Sequence, residues 1–114
     1  MTAVVAYVPD LMDRSNVQAA AAGGDIRFVA SVAGLAEAAA DPGVRLVVVD
    51  LSRPGVLDVL SALVTAEVRT IGFGSHVDHA LLDAARAAGC DEVLPRSAFF
   101  RRLEELLGQD GAHA

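Results

Sequence analysis

The sequence predicts an α/β domain of three layers: five parallel strands in one doubly wound sheet, with helices on both faces. Three observations carry this expectation. Five short apolar runs alternate with five stretches of helical periodicity, and the connections between them are only a few residues long. The run Leu46-Val47-Val48-Val49 holds three β-branched residues, shows no polar alternation and ends on Asp50. Such a strand expects cover on both faces, which is the habit of a central strand in a parallel sheet. Right-handed crossovers between parallel strands then lay the helices on the two sides.

Taken in order, Ala3 to Val8 reads as the first strand, closed by Pro9-Asp10. Leu11 to Ala22 reads as a helix, with Asp10 or Asp13 near its start and Gly23-Gly24 beyond its end. Ile26 to Val29 is a second, short strand. Ser31 is placed to cap a helix over Val32 to Ala40, which Pro42-Gly43 closes. After the third strand, Ser52, Pro54 and Gly55 turn the chain. A helix then runs from about Pro54 to Ala66, with Val56, Leu57, Leu60, Leu63 and Val64 on one apolar stripe. The fourth strand is Arg69 to Phe73, ending in Gly72-Phe73-Gly74-Ser75. A helix from His76 or Val77 to Ala88 follows, with Gly89 as its C′ residue. Glu92 to Leu94 is the fifth strand, stopped by Pro95. The last helix spans Ser97 to about Leu107, with Phe99, Phe100, Leu103, Leu106 and Leu107 on its apolar side. One domain over residues 1–108 is expected, with 109–114 as a frayed tail.

Composition narrows the function classes. Of the 114 residues, 54% are apolar and only 4% aromatic, so the core is built from Val, Leu, Ile and Ala. The net charge is −6 and the chain contains no lysine, which argues against autonomous nucleic-acid binding. Cys90 is the only cysteine, so neither an intrachain disulfide nor a cysteine-based zinc site is expected. The start lacks a basic leader region and no apolar run approaches the length of a membrane span, so the expected location is the cytoplasm.

In a sheet of strand order 2-1-3-4-5, the switch point falls between the first and third strands, and Asp10 and Asp50 face one crevice. This order, the length and the Asp closing the third strand resemble the receiver domain of bacterial response regulators, a flavodoxin-like fold. The resemblance spans Val4 to Leu107. Asp50 matches the phospho-accepting aspartate, and Ala87-Ala88-Gly89-Cys90-Asp91-Glu92-Val93-Leu94 is similar to the family's approach to its fifth strand. The family's chemistry implies a divalent cation, Mg²⁺, held by two acids after the first strand plus the acceptor. Here that position reads Val8-Pro9-Asp10, so Asp10 and Asp50 are the only ligands in register, and Asp13 lies a helical turn further on. Where the family has Ser or Thr after the fourth strand, this chain has Gly74, with Ser75 one residue late. Where it has Lys before Pro, this chain has Pro95-Arg96, with Arg96 in the Lys role. Arginine is a planar fork rather than a compact ammonium, so the exchange is not conservative. Three of the four functional positions are altered, which implies a degenerate, or pseudo-, receiver.

Each candidate also has a simpler reading. Asp50 could cap the following helix or accept backbone N–H groups. Ser75-His76-Val77-Asp78 is close to a capping box, which accounts for Ser75 without a phosphate. His76 and His79 have spacing that suits a shared metal, but no third ligand stands at an obvious spacing. Cys90 reads as a packing cysteine. Gly72 and Gly74 could admit a ligand, yet they are not part of a G-x-G-x-x-G fingerprint.

Two functions of different class follow. The first is a stand-alone receiver-like signalling module, not an enzyme, with phosphorylation at Asp50 weak or absent. It acts through protein contacts, as a homodimer or on a partner, across the fourth helix, fifth strand and fifth helix. Phe99, Phe100, Arg101 and Arg102 are the expected interface residues. The alternative is a small-molecule-binding flavodoxin-like domain or enzyme subunit, whose best support is the glycine pair beside Asp10, Asp50 and Ser75.

Overall fold

The computed structural model describes residues 3–21, 24–65 and 68–110; for 64, 65 and 108–110 only the backbone is considered. The elements are β1 (Val4–Tyr7), α1 (Leu11–Ala20), β2 (Ile26–Phe28), α2 (Val32–Ala39), β3 (Leu46–Asp50), α3 (Val56–Thr65), β4 (Arg69–Gly74), α4 (His79–Ala87), β5 (Glu92–Pro95), α5 (Arg96–Arg101) and α6 (Leu103–Asp110). The five strands form one parallel sheet in the order β2-β1-β3-β4-β5. Fold class and strand order are those the sequence predicts.

β3 is the middle strand, and Val47, Val48 and Val49 are wholly buried. Its unbroken apolar run has a direct cause: alternate residues feed two different cores. Val47, Val49 and the following Leu51 pack with Leu35, Leu60 and Leu82 of α2, α3 and α4. Leu46 and Val48 pack with Val17 of α1, Phe99 of α5 and Leu103 and Leu106 of α6. The helices therefore divide into α2, α3 and α4 on one face and α1, α5 and α6 on the other.

The ends of the helices follow local chemistry. Ser31 caps α2, its Oγ accepting from the Gly34 N–H at 3.0 Å. Asp10 caps α1, its Oδ1 accepting from the Asp13 N–H at 3.0 Å. Gly89, at φ 102°, ends α4 in the left-handed region that favours glycine.

Several boundaries differ from the sequence reading. α3 starts at Val56 rather than Pro54, because residues 51–55 form turns around Gly55 at φ 84°. α4 starts at His79, and its N-cap is Asp78, whose Oδ1 accepts from the Leu81 N–H at 3.1 Å. Ser75 is not that cap. Its Oγ instead accepts from the Val77 N–H at 3.4 Å, in the turn upstream. The single final helix is two, α5 and α6, joined at Arg102, whose guanidinium reaches Glu92 on β5 and Glu105 on α6. The apolar spacing Phe99, Leu103, Leu106, Leu107 runs through that junction without interruption, so periodicity could not reveal it. α6 continues to Asp110, past the start of the expected tail; 111–114 lie outside the described residues, as do the expected helix ends Ala22 and Ala66 and the turn residue Gly23.

Candidate functional site

The site is built at the carboxyl edge of the sheet, where the chain leaves the paired strands β1 and β3 for α1 on one face and α3 on the other. β3 delivers Asp50 there, paired in register with Phe73 of β4. Asp50 is 3% exposed. Its Oδ1 accepts from the Ser52 N–H at 3.0 Å and from the Ser52 hydroxyl at 2.7 Å. Its Oδ2 accepts from Nε of Arg53 at 3.3 Å. The backbone arrangement is an Asx turn, the fold-back that aspartate favours after a strand. A buried carboxylate needs such partners, since each unmatched acceptor lone pair would cost about 1–3 kcal/mol.

The second half of the site joins α1 to α5. Asp13 is 6% exposed and receives both terminal nitrogens of Arg96, Nη1 at 2.9 Å and Nη2 at 2.6 Å. This parallel fork is the geometry for which guanidinium and carboxylate are matched. It holds Arg96 charged above the ordinary arginine range, against the opposing effect of partial burial. The fields of Asp13, Asp50 and Asp10 act in the same direction. The guanidinium of Arg96 also lies over Phe73 at 5.5 Å and Phe100 at 5.3 Å. Phe73, Phe99 and Phe100 form one aromatic cluster: Phe73 stacks on Phe99 at 4.4 Å, and Phe100 meets both edge-on.

The edge thus collects three carboxylates, Asp10, Asp13 and Asp50, and two guanidiniums, Arg53 and Arg96. The family resemblance implies magnesium, which takes oxygen ligands in near-octahedral geometry. Here one oxygen of Asp10 is engaged in the α1 cap, both of Asp13 in the fork with Arg96, and both of Asp50 with Ser52 and Arg53. Among the described residues no group of three or more His, Cys, Asp or Glu is placed to hold a metal. A magnesium ion at this edge would have to compete with Arg53 and Arg96 for the oxygens of Asp50 and Asp13.

The other candidates are dispersed. Ser75, His76 and His79 are exposed. Gly74 is covered: a Cβ there would lie 3.4 Å from both Leu81 and Leu82. At Gly72 a Cβ would lie 2.7 Å from Leu51 Cδ2. Gly72 therefore makes room for Leu51, and Gly74 lies under Leu81 and Leu82. Cys90 is buried, its thiol facing the carbonyls of Thr70 and Glu92 at 3.5 and 3.4 Å. Burial pushes that thiol up to about 11, so it is poorly suited to nucleophilic work. Of the expected interface residues, Phe99 is wholly buried and Phe100 half-buried. Arg101 is exposed beside α1, and Arg102 is turned to Glu92.

Sequence reasoning missed the roles of Arg53 and Asp13. Arg53 carried a weak signal, being three residues beyond Asp50, the spacing at which a turn brings side chains together. The Asp13–Arg96 pair spans 83 residues and carried none.

No family model and no curated protein sequence matches the chain. Solved structures do match in shape. The receiver domain of the TMAO respiratory system response regulator TorR superposes with a TM-score of 0.76 at 20% identity, over 96% of this chain and 99% of that one. A CheY-like protein, tadZ, from Pseudomonas aeruginosa gives 0.74 at 19% identity, over 96% and 98%. A response regulator from Burkholderia pseudomallei, bearing a phosphorylated aspartic acid and a calcium ion, gives 0.74 at 15% identity, over 95% of this chain and 65% of that one. The protein has the fold of a response-regulator receiver domain over nearly its whole length.

Proposed function

We propose that this chain is a pseudo-receiver: a module of bacterial two-component signalling that acts by contacting protein, with Asp50 phosphorylated weakly or not at all. One observation carries the reading. Asp50, at the acceptor position, and Asp13, a helical turn beyond the in-register Asp10, are held by the chain's own guanidiniums, Arg53 and Arg96. Transfer to Asp50 would require a carboxylate oxygen to attack phosphorus while the developing charge is neutralised. Arg53 occupies Oδ2, and Ser52 donates two hydrogen bonds to Oδ1. Arg96, at the family's Lys position, is committed to Asp13 rather than aimed at a phosphoryl group. With its chemistry muted, such a module works by the surface it presents, to a second copy or to a protein partner, and that surface includes α5. Its net charge of −6 directs it to proteins rather than to nucleic acid.

The test is phosphorylation by acetyl phosphate with Mg²⁺, read by intact mass. The expected result is incorporation far below one phosphoryl group per chain. Stoichiometric labelling that disappears in Asp50→Ala would overturn the reading. The small-molecule alternative has no comparable support, because Gly72 and Gly74 are packed by leucines.

A further inference from the structure

The two ion pairs at the carboxyl edge are not equivalent. Arg96 grips Asp13 through two nitrogens, at 2.9 and 2.6 Å. Arg53 meets Asp50 through Nε alone, at 3.3 Å, and its side chain is 37% exposed. The two terminal nitrogens of Arg53 make no hydrogen bond to the described residues. The two oxygens of Asp50 differ as well. Oδ1 is held by the backbone and hydroxyl of Ser52, two residues on, so its partners belong to the turn itself. Oδ2 has one partner among the described residues, the Arg53 side chain. The turn does not depend on that side chain. Its main chain is tied by the Arg53 N–H donating to the Asp50 carbonyl and by the Val56 N–H donating to the Arg53 carbonyl, each at 3.4 Å.

We propose that Arg53 is an autoinhibitory contact: a built-in counter-ion that closes Oδ2 of Asp50 to divalent cations. Two causes of a silent site are thereby separated. One is composition, an acid too few after β1. The other is occupancy, a guanidinium already seated on the acceptor carboxylate. Occupancy follows from the burial of Asp50, which is 3% exposed. A buried carboxylate needs a donor or a cation, because its charge is poorly tolerated without one. Arg53 supplies both and is tethered three residues away, so it is present at a high effective concentration. A mobile cation must displace it to reach Oδ2. Without Arg53, Oδ2 keeps its charge and loses its partner, and a hard cation from solution meets that need with oxygen ligands and water. Asp10 adds negative charge to the same edge, since its field, like that of Asp50, reaches Arg96. The Asp13–Arg96 fork is a different device. It joins α1 to α5 through two bonds and leaves neither oxygen of Asp13 open.

This inference rests on the reading that the chemistry of Asp50 is muted, but it has its own test. Labelling of the wild type by acetyl phosphate decides that reading, whereas cation binding by Arg53 variants decides the lock. Mn²⁺ serves as the probe because it takes the same hard oxygen ligands as Mg²⁺, and electron paramagnetic resonance counts the free ion during titration. Arg53→Ala should bind Mn²⁺ at least about tenfold more tightly than the wild type. Arg53→Met, which keeps the stem in the turn but no donor, should do the same. Adding Asp50→Asn to Arg53→Ala should abolish the gain. Arg27→Ala removes an equal charge from an exposed ion pair on β2 and should stay within about twofold of the wild type. Far-UV circular dichroism establishes that each variant is folded. An affinity unchanged by both Arg53 variants would overturn the proposal and leave the missing acid as the cause. So would a gain that survives Asp50→Asn, or one that Arg27→Ala matches.

Discussion

At the scale of single residues, the charges at the carboxyl edge of the sheet are matched within the chain. Arg53 pairs with Asp50 and Arg96 with Asp13, so the two buried carboxylates each face a guanidinium. Gly72 is a second residue whose role is decided by a neighbour. The Cβ it lacks would lie 2.7 Å from Cδ2 and 2.9 Å from Cγ of Leu51. Leu51 is 1% exposed and sits in the α2–α4 core, so it has nowhere to yield. Gly72→Ala should therefore destabilise the fold by about 1–3 kcal/mol, the range of overpacked cores, despite the better strand propensity of alanine. Urea unfolding of the two proteins measures the difference. An unchanged midpoint would show that Leu51 repacks freely.

At the scale of elements, the start of α4 separates two residues that look equivalent in sequence. Asp78 caps the helix through the Leu81 N–H, while Ser75 bonds only the Val77 N–H at 3.4 Å in the preceding turn. Asp78→Ala should cost about 1 kcal/mol, as loss of a side-chain cap does, and Ser75→Ala less than about 0.5 kcal/mol. Thermal melts of both variants decide between them. Equal losses would mean that the turn and the cap act as one unit. The junction between α5 and α6 follows a similar rule. Arg102 is drawn to Glu92 on a different strand, an attraction that no pattern along the helix records.

At the scale of the whole molecule, Cys90 ties global stability to pH. Its thiol is raised by burial to about 11 in the folded protein, against 9.0 for the unperturbed group. The folded state therefore keeps a proton that the unfolded state releases between those values. Stability from this source is complete below about pH 9 and falls as pH rises from about 9 to about 11. The loss is at most about 3 kcal/mol, two pKa units at 1.36 kcal/mol each. Denaturation midpoints at pH 8, 9, 10 and 11 should fall across this window in the wild type and less steeply in Cys90→Ala. Parallel slopes in the two proteins would remove Cys90 as the cause.

Much of the fold is legible in the order of residues along the chain. The unbroken run ending at Asp50, the alternation of strands and helices, the Ser31 cap and Gly89 beyond α4 are all signals within a few residues of one another. Strand burial, helix capping and left-handed glycine are short-range physics, and they place Asp10 and Asp50 at one sheet edge through the handedness of the crossovers. The state of the site is not legible in that way. The Asp13–Arg96 fork joins residues 83 apart, and it exists only because α1 and α5 are laid on the same face of the sheet. The direction of Phe100 has the same origin. Phe99 takes the core position against Phe73, so its neighbour, about 100° further around the helix, is turned toward α1. Local sequence determined which elements form and in what order they pair. The packing of helices from distant parts of the chain decided which charges meet and which surface remains exposed, because ion pairing and burial depend on distances that only the assembled layers create.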